Sequence, residues 1–228
     1  MRLLAIDTGS EACSVAIADG ERLFARSEIV GRGHAEILFA LMEQALADAG
    51  FGVCALGRVA VAVGPGSFTG VRVGVAAARG LALALGQKAV GIGTLAVHAE
   101  EARALVGARP VLAVLAAGRG ELYGALYAAD GSELSPPRAA AAETFAALVR
   151  ERRATGEGAG LVLAGSGADD VLAALGEGPP VAHRHAVANV AALVRLACLA
   201  PPAVVSPLPL YLRAPDAKPQ AAALAHRP

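Results

Sequence analysis

The first hundred residues alternate between short apolar strands and amphipathic helices. Apolar and β-branched runs predict strands over residues 3–6, 13–18, 21–29 and 88–93. Apolar residues at helical spacing predict helices over residues 34–49 and 95–105. The Asp19-Gly20 turn favours a hairpin, so the opening strands form an antiparallel meander. Asp7 ends the first of these strands, where it either caps its own turn or faces a ligand.

The sequence GPGSFTG at residues 64–70 connects a predicted strand over 59–63 to a predicted helix that ends at Leu85. It is not the Walker A phosphate-binding sequence GxxxxGK[ST], because it lacks the lysine. It is not the dinucleotide-binding sequence GxGxxG either, because its third glycine comes one residue late. Two interpretations remain open: a tight connection, or a helix N-terminus that faces an anion or an acidic partner. Glycine and alanine dominate the helix, which favours close approach of another helix or another chain.

The second half repeats the opening pattern in weaker form. Strands are predicted over residues 111–115, 122–127 and 161–164, and helices over 169–175 and 189–199. Gly165-Ser166-Gly167 echoes the earlier glycine turn, but Ala116 stands where the first half has Asp7. We therefore predict an internal duplication. The predicted fold is α/β: an actin-like, ribonuclease-H-like ATPase fold of two duplicated subdomains, with mixed sheets flanked by helices.

The pattern also predicts domain boundaries. The first subdomain spans residues 1–108, and the second, degenerate subdomain spans residues 109–213. Residues 150–160 are polar and glycine-rich, which predicts a surface loop, and residues 207–213 are predicted to be extended. The tail over 214–228 shows no periodicity and is predicted to be mobile.

Composition narrows the class of protein. The 228 residues are 55% hydrophobic with a mean hydropathy of +0.53, yet the most apolar stretch, 186–205, is interrupted by Arg195 and Pro201-Pro202. The apolar N-terminal run stops at Asp7, too early for a signal peptide, so we predict a cytoplasmic protein without a membrane span. Twenty basic residues against twenty acidic ones give zero net charge, which argues against a protein that grips nucleic acid alone.

Cysteine and histidine offer few candidate ligands. The three cysteines show no ligand spacing, which predicts buried free thiols. His34 begins a helix as an exposed residue, a ligand or a base, and His183 and His185 are predicted to form a solvated basic loop.

The sequences LLAIDTGSEACSVAI, GPGSFTGVR, GIGTL and PLYLR together resemble the TsaB family, a bacterial subunit of threonylcarbamoyladenosine synthesis on transfer RNA. The resemblance is close over the first hundred residues and loose beyond. It implies a partner subunit that is no enzyme on its own. The catalytic paralogue, TsaD, would transfer threonylcarbamoyl from threonylcarbamoyl-adenylate to the adenosine next to the anticodon. TsaE would act on the pair in a nucleotide-dependent manner, and tRNA would be contacted indirectly.

The resemblance also implies a lack of catalytic and metal-binding residues. TsaD carries two metal-binding histidines four residues apart, where this chain has Thr94 and His98. One imidazole does not make such a site, so we predict no metal and no catalytic residue. The family usually has aspartate at the position of Ala116 and arginine at that of Gly118, so contacts from the second hairpin are in question.

The resemblance implies two sets of site residues. A vestigial nucleotide site, which binds ATP or ADP only within the complex, would use Asp7, Thr8, Gly64, Gly66, Ser67 and Thr69. A helical face would dock on TsaD, or on a second copy as a homodimer when TsaD is absent; its residues would be His34, Leu38, Leu41, Met42, Phe68, Val71, Arg72, Val75 and Arg79. The rival interpretations are a stand-alone actin-like small-molecule kinase and a metallopeptidase, the latter disfavoured by the lack of HExxH.

Overall fold

The computed structural model describes residues 1–31, 33–156 and 158–213, so the predicted tail lies outside the described residues. The first half builds a five-stranded sheet in the order β3-β2-β1-β4-β5. Its strands are β1 (Arg2–Asp7), β2 (Ala12–Asp19), β3 (Arg22–Ile29), β4 (Arg58–Ala62) and β5 (Val90–Ile92). The meander β1 to β3 is antiparallel, and β4 and β5 run parallel to β1.

The second half builds a sheet of the same topology, in the order β8-β7-β6-β9-β10. Its strands are β6 (Val111–Gly118), β7 (Glu121–Tyr127), β8 (Glu133–Ala141), β9 (Val162–Ala164) and β10 (Val181–His183). Again the first three strands are antiparallel and the last two are parallel to the central strand. The predicted duplication and the actin-like α/β fold class are therefore confirmed.

Within the described residues, six α-helices cover the sheets. They are α1 (His34–Ala49), α2 (Phe68–Ala84), α3 (Thr94–Val106), α4 (Ala142–Ala154), α5 (Ala168–Leu175) and α6 (Val190–Leu199). Helices α1 and α2 share one face of the first sheet, and α4 and α5 share one face of the second. Between the sheets lie α3 and α6, so the order of layers is helices, sheet, helices, sheet, helices.

The two central helices are exchanged between the halves. Helix α6 comes late in the chain, yet its Val190 and Leu193 pack on Leu3 and Ala5 of the first sheet. Helix α3 comes from the first half and packs on the second sheet through Leu95 and its neighbours. The division into subdomains at residue 108 stays a prediction, since the packing of these helices crosses it.

The sequence reasoning missed β8, α4 and β10. Strand β8 contains Pro136 and Pro137, which argue against a strand except at a sheet edge, and β8 is an edge strand. The predicted loop over 150–160 is wrong in its first part, because α4 continues to Ala154. Its apolar anchor, Phe145, is fully buried against the second sheet.

The exposure of the cysteines differs from the prediction. All three are free, but only Cys13 is buried, whereas Cys54 and Cys198 are exposed. Among the described residues, no helix is both long and apolar enough to cross a bilayer.

Much of the predicted docking face lies in the core. The prediction that these residues contact a partner is therefore corrected. Leu38, Leu41 and Met42 of α1 and Val71 and Val75 of α2 are almost completely buried against the first sheet. These side chains hold the two helices on β1, β2 and β4 and cannot be reached by a partner. Helical spacing identified an apolar face correctly, but that face points inward.

The two faces of α1 predict a sharp contrast between neighbouring substitutions. Leu38→Ala removes a side chain with no exposure and should lower the free energy of unfolding by about 2–5 kcal/mol. Phe39→Ala, on the adjacent outward face with 56% exposure, should change it by less than about 0.5 kcal/mol. Urea unfolding followed by circular dichroism measures both. Equal losses would contradict the inward assignment of Leu38.

Candidate functional site: the cleft between the two halves

A cleft of about 460 Å³ lies between the two sheets. Its first wall combines the turn after β1 with the glycine turn before α2, and its second wall is the β6–β7 hairpin with the turn before α5. The residues of the first wall are Asp7, Gly9, Ser10, Glu11, Pro65, Gly66, Ser67 and Thr94. Those of the second are Leu115, Ala116, Ala117, Gly118, Tyr123, Ser166 and Ala186.

The β1–β2 turn and the start of α2 are bonded to each other. The backbone N–H of Ser67 donates to the carbonyl of Gly9 at 2.7 Å, and the hydroxyl of Thr8 donates to the carbonyl of Gly70 at 2.7 Å. The Ser67 hydroxyl accepts from the N–H of Gly70 and thereby caps α2. The first wall of the cleft is thus one bonded unit of two turns.

Glycines of the α2 region make this contact sterically feasible. A Cβ at Gly66 would overlap the carbonyl oxygen of Gly9, and one at Gly70 would overlap that of Thr8. One turn further along α2, a Cβ at Gly74 would overlap the hydroxyl of Thr8. The glycines on this side of α2 therefore leave room for the β1–β2 turn of the same chain to pack closely against the helix.

Asp7 stands at the base of the cleft and is buried. Burial raises the pKa of its carboxyl above the usual value of 3.8, although the N–H of Gly9 and the nearby His34 oppose the shift. The N–H of Gly9 donates to Oδ1 of Asp7 at 2.9 Å, so the carboxylate does cap its own turn. Both roles predicted for Asp7 are thus present in one side chain, which caps its own turn and also lines the cleft.

His34 supports the same turn. It is buried, and its Nε2 lies 2.9 Å from the carbonyl oxygen of Ser10, which can only accept, so Nε2 donates. The predictions of His34 as an exposed first-turn residue and as a docking residue are therefore corrected. Its side chain positions the loop that forms the rim of the cleft.

The second wall is mostly apolar where the first wall carries Asp7. Leu115, Ala116 and Ala117 face the cleft, and the polar group added by the turn before α5 is Ser166. The Ser166 hydroxyl accepts from the N–H of Ala116 at 3.1 Å, so it joins β6 to that turn. The cleft consequently has one polar wall and one mostly apolar wall.

The C-terminal segment crosses from the first half to the second. The N–H of Leu210 donates to the carbonyl of Val63 at 2.7 Å, next to the glycine turn. The guanidinium of Arg213 donates to the carbonyl of Ala117 at 2.6 Å and pairs with Glu121 at 3.1 Å. The extended segment predicted at residues 207–213 is therefore ordered and contacts both walls.

The structure brings together part of the predicted nucleotide site. Asp7, Gly66 and Ser67 line the cleft, whereas Thr8 is buried behind it in its bond to Gly70. Gly64 adopts a φ of +100° beside the segment at Leu210, and Thr69 is exposed on the first turn of α2. Sequence reasoning missed Glu11 and Ser166, which only the fold brings to the cleft.

A family model described as TsaD, tRNA N6-adenosine threonylcarbamoyltransferase, matches residues 26–166, more than half of the chain. The TsaB protein of Escherichia coli, named for tRNA threonylcarbamoyladenosine biosynthesis, is 40% identical over 130 residues, which cover 57% of this chain and 56% of that protein. The chain belongs to the TsaD family. The match spans about half the length of the TsaB proteins of Escherichia coli, Haemophilus influenzae and Buchnera aphidicola.

Relatives that match over nearly their whole length carry no function in their names. An uncharacterized protein of Mycobacterium tuberculosis is 34% identical over 225 residues, covering 96% of this chain and 95% of that protein. A crystal structure from Pseudomonas aeruginosa, described as an uncharacterized protein similar to the peptidase YeaZ, is 28% identical with a TM-score of 0.78. It covers 93% of this chain and 99% of its own. The fold of that YeaZ-like protein therefore extends over both halves of the chain.

The raised pKa of Asp7 predicts a pH-dependent cost to stability. Because the folded state holds this proton more tightly than the unfolded state, stability should fall as pH rises from about 3.8 through the raised folded value. Asp7→Asn keeps an acceptor for Gly9 and removes the charge, so it should be more stable than the wild type at pH 7. Each unit of pKa shift corresponds to about 1.4 kcal/mol.

Urea unfolding of Asp7→Asn and wild type between pH 3.5 and about 7 measures this difference. The gap should grow with pH. Asp170→Asn, a change at an exposed carboxylate on α5, is the control and should leave the pH dependence of stability near that of the wild type. A gap at Asp7 that is constant with pH would contradict the assignment.

Proposed function

We propose that this chain is the non-catalytic partner subunit of a complex that makes threonylcarbamoyladenosine on tRNA. A TsaD subunit of the complex transfers threonylcarbamoyl from threonylcarbamoyl-adenylate to the adenosine next to the anticodon, and a TsaE subunit acts on the pair in a nucleotide-dependent manner. The family membership supports the pathway. The observation that carries the partner role is the outer face of α1 and α2.

The outer face of α1 and α2 is defined by two stripes at helical spacing. The α1 stripe contains Glu36, Phe39, Ala40, Glu43 and Ala47, and the α2 stripe contains Arg72, Ala76, Arg79 and Leu83. All of these residues are exposed, and Leu83 reaches 79%. This face replaces the buried residues of the predicted interface and retains Arg72 and Arg79 from it.

The charges of the two stripes are complementary. Acidic residues lie on α1 and basic residues on α2, with apolar and small side chains between them. A molecule with the same pair of helices can therefore dock in an antiparallel arrangement, in which each α1 stripe meets the opposite α2 stripe. A TsaD protein is such a relative, and a second copy of this chain is another, so a homodimer forms when TsaD is absent.

Aromatic residues fix the start of the α2 stripe. The guanidinium of Arg72 lies 3.7 Å above the ring of Phe68 and donates from Nε to the hydroxyl of Tyr211 at 2.7 Å. The rings of Phe68 and Tyr211 have centroids 5.1 Å apart. These contacts hold Arg72 in place within the chain, and they leave Phe68 as part of the rim rather than the centre of the face.

The residues of the cleft support a subunit that acts with a partner rather than an enzyme that acts alone. Thr94 stands where the catalytic relative has its first metal-binding histidine, and Ala116 and Ala117 give the second wall no charged group. ATP or ADP would therefore be held here only within the assembled complex. The zero net charge suits a cytoplasmic subunit that leaves most of the tRNA backbone contacts to its partner.

Association with a co-expressed TsaD tests the outer face. Phe39→Glu and Leu83→Glu place a charge at exposed positions and should weaken co-purification about tenfold or more, because that charge would be buried unpaired in the complex. Leu134→Glu, at an exposed position of β8, is the matched control and should bind normally. Circular dichroism should show that all variants are folded. Wild-type binding by both α1–α2 variants would contradict the proposal.

A reconstituted modification assay separates the partner role from the kinase alternative. Omission of this chain should abolish threonylcarbamoyladenosine formation, and its addition should restore it. The isolated chain should show no turnover of ATP with small acids or sugars. ATP turnover by the chain alone, together with modification that proceeds in its absence, would favour the small-molecule kinase.

A further inference from the structure

A cluster of histidines and a glutamate lies where α3 meets β10, behind the cleft. It includes His98, the position of TsaD's second metal-binding histidine, at which the sequence alone predicted no metal. His98 and Glu101 are three residues apart on α3 and so share one side of the helix. His183 is the last residue of β10, and ligand atoms of the three side chains all lie within 4.8 Å of one another. We propose that His98, Glu101 and His183 bind a divalent transition metal, with Zn²⁺ as the best match.

The strongest observation is the state of His98. It has no exposure to solvent, and within the described residues neither of its ring nitrogens makes a hydrogen bond of normal geometry, although the ring lies near the backbone of Ala186. A buried polar side chain without partners costs about 1–3 kcal/mol, so native proteins seldom leave one. A metal ion bonded to one nitrogen of His98 would remove that cost.

His183 is oriented as metal-binding histidines usually are. Its Nε2 lies 3.3 Å from the carbonyl oxygen of His98, and because a carbonyl only accepts, Nε2 carries the proton. Nδ1 therefore holds a lone pair, and no described residue donates a hydrogen bond to it. A ligating histidine typically donates its other N–H to a carbonyl or carboxylate in this way.

The glutamate connects the cluster to solvent. The Glu101 side chain is 12% exposed, and its Oε1 lies 3.1 Å from Nε2 of His185, which stacks on His183 with ring centroids 4.0 Å apart. A groove of about 360 Å³ is lined by Glu101, His185 and Asn189, so it reaches the Glu101 side of the cluster. Two histidines and one glutamate are a donor set that proteins use for Zn²⁺.

The metal would join the two halves of the fold. His98 and Glu101 come from a helix of the first half, and His183 from an edge strand of the second sheet. Bound Zn²⁺ should therefore stabilise the whole chain by mass action. The site is separate from the α1–α2 face, so its presence or absence does not depend on the proposed partner.

Zinc titration of the full chain by isothermal calorimetry tests the proposal, in a Cys54→Ser, Cys198→Ser background that removes the exposed thiols. One Zn²⁺ should bind per chain. His98→Gln, His183→Gln and Glu101→Gln should each weaken binding by at least about tenfold, since even loss of an outer-shell partner of a metal ligand costs 10–100-fold. Co²⁺ should give the visible absorption of a four-coordinate site, and this should be lost in His98→Gln.

Matched controls are available on the same chain. Glu100→Gln changes the neighbouring carboxylate of α3, which pairs with Arg103 and Arg195, and His34→Gln changes a buried histidine outside the cluster. Both should bind Zn²⁺ like the background protein, with folding checked by circular dichroism. Absence of Zn²⁺ binding by the folded background protein would overturn the proposal. So would binding that is unaffected by His98→Gln and His183→Gln.

Discussion

The close backbone contact between the β1–β2 turn and α2 determines the shape of the first half. It requires glycine at positions 66, 70 and 74, because any side chain there would overlap Thr8 or Gly9. The contact closes with hydrogen bonds from Ser67 to Gly9 and from Thr8 to Gly70. As a result, the buried Asp7, the rim of the cleft and the start of α2 all occupy fixed positions relative to one another.

The same contact explains why the small residues of α2 were misinterpreted from the sequence. Gly70 and Gly74 indicated that something must approach the helix closely, and this was correct. The approaching group is the chain's own turn, which no helical pattern could reveal because the contact spans some sixty residues of sequence. Similarly, the apolar spacing of Leu38 and Leu41 identified a packing face without showing that it points to the sheet. The outward face could be found only once the sheet was placed.

Other features were readable from the sequence because they are local. The strand and helix periods, the hairpin turns and the repeat of the meander predicted the duplicated fold before any coordinates. His183 illustrates the opposite case. Its neighbours in sequence are polar and suggest a solvated loop, yet the return of β10 to the second sheet buries it beside His98. The strand order brings His98 and His183 together from distant parts of the chain. No spacing in the sequence indicates that these two histidines are neighbours.

The exchange of α3 and α6 between the halves makes each half depend on the other. The inner face of each sheet is covered by a helix that the other half encodes, so a chain divided near residue 108 would yield two fragments, each with an apolar sheet surface open to water. The second half is therefore a structural requirement of the first, even though its wall of the cleft carries no charged side chain.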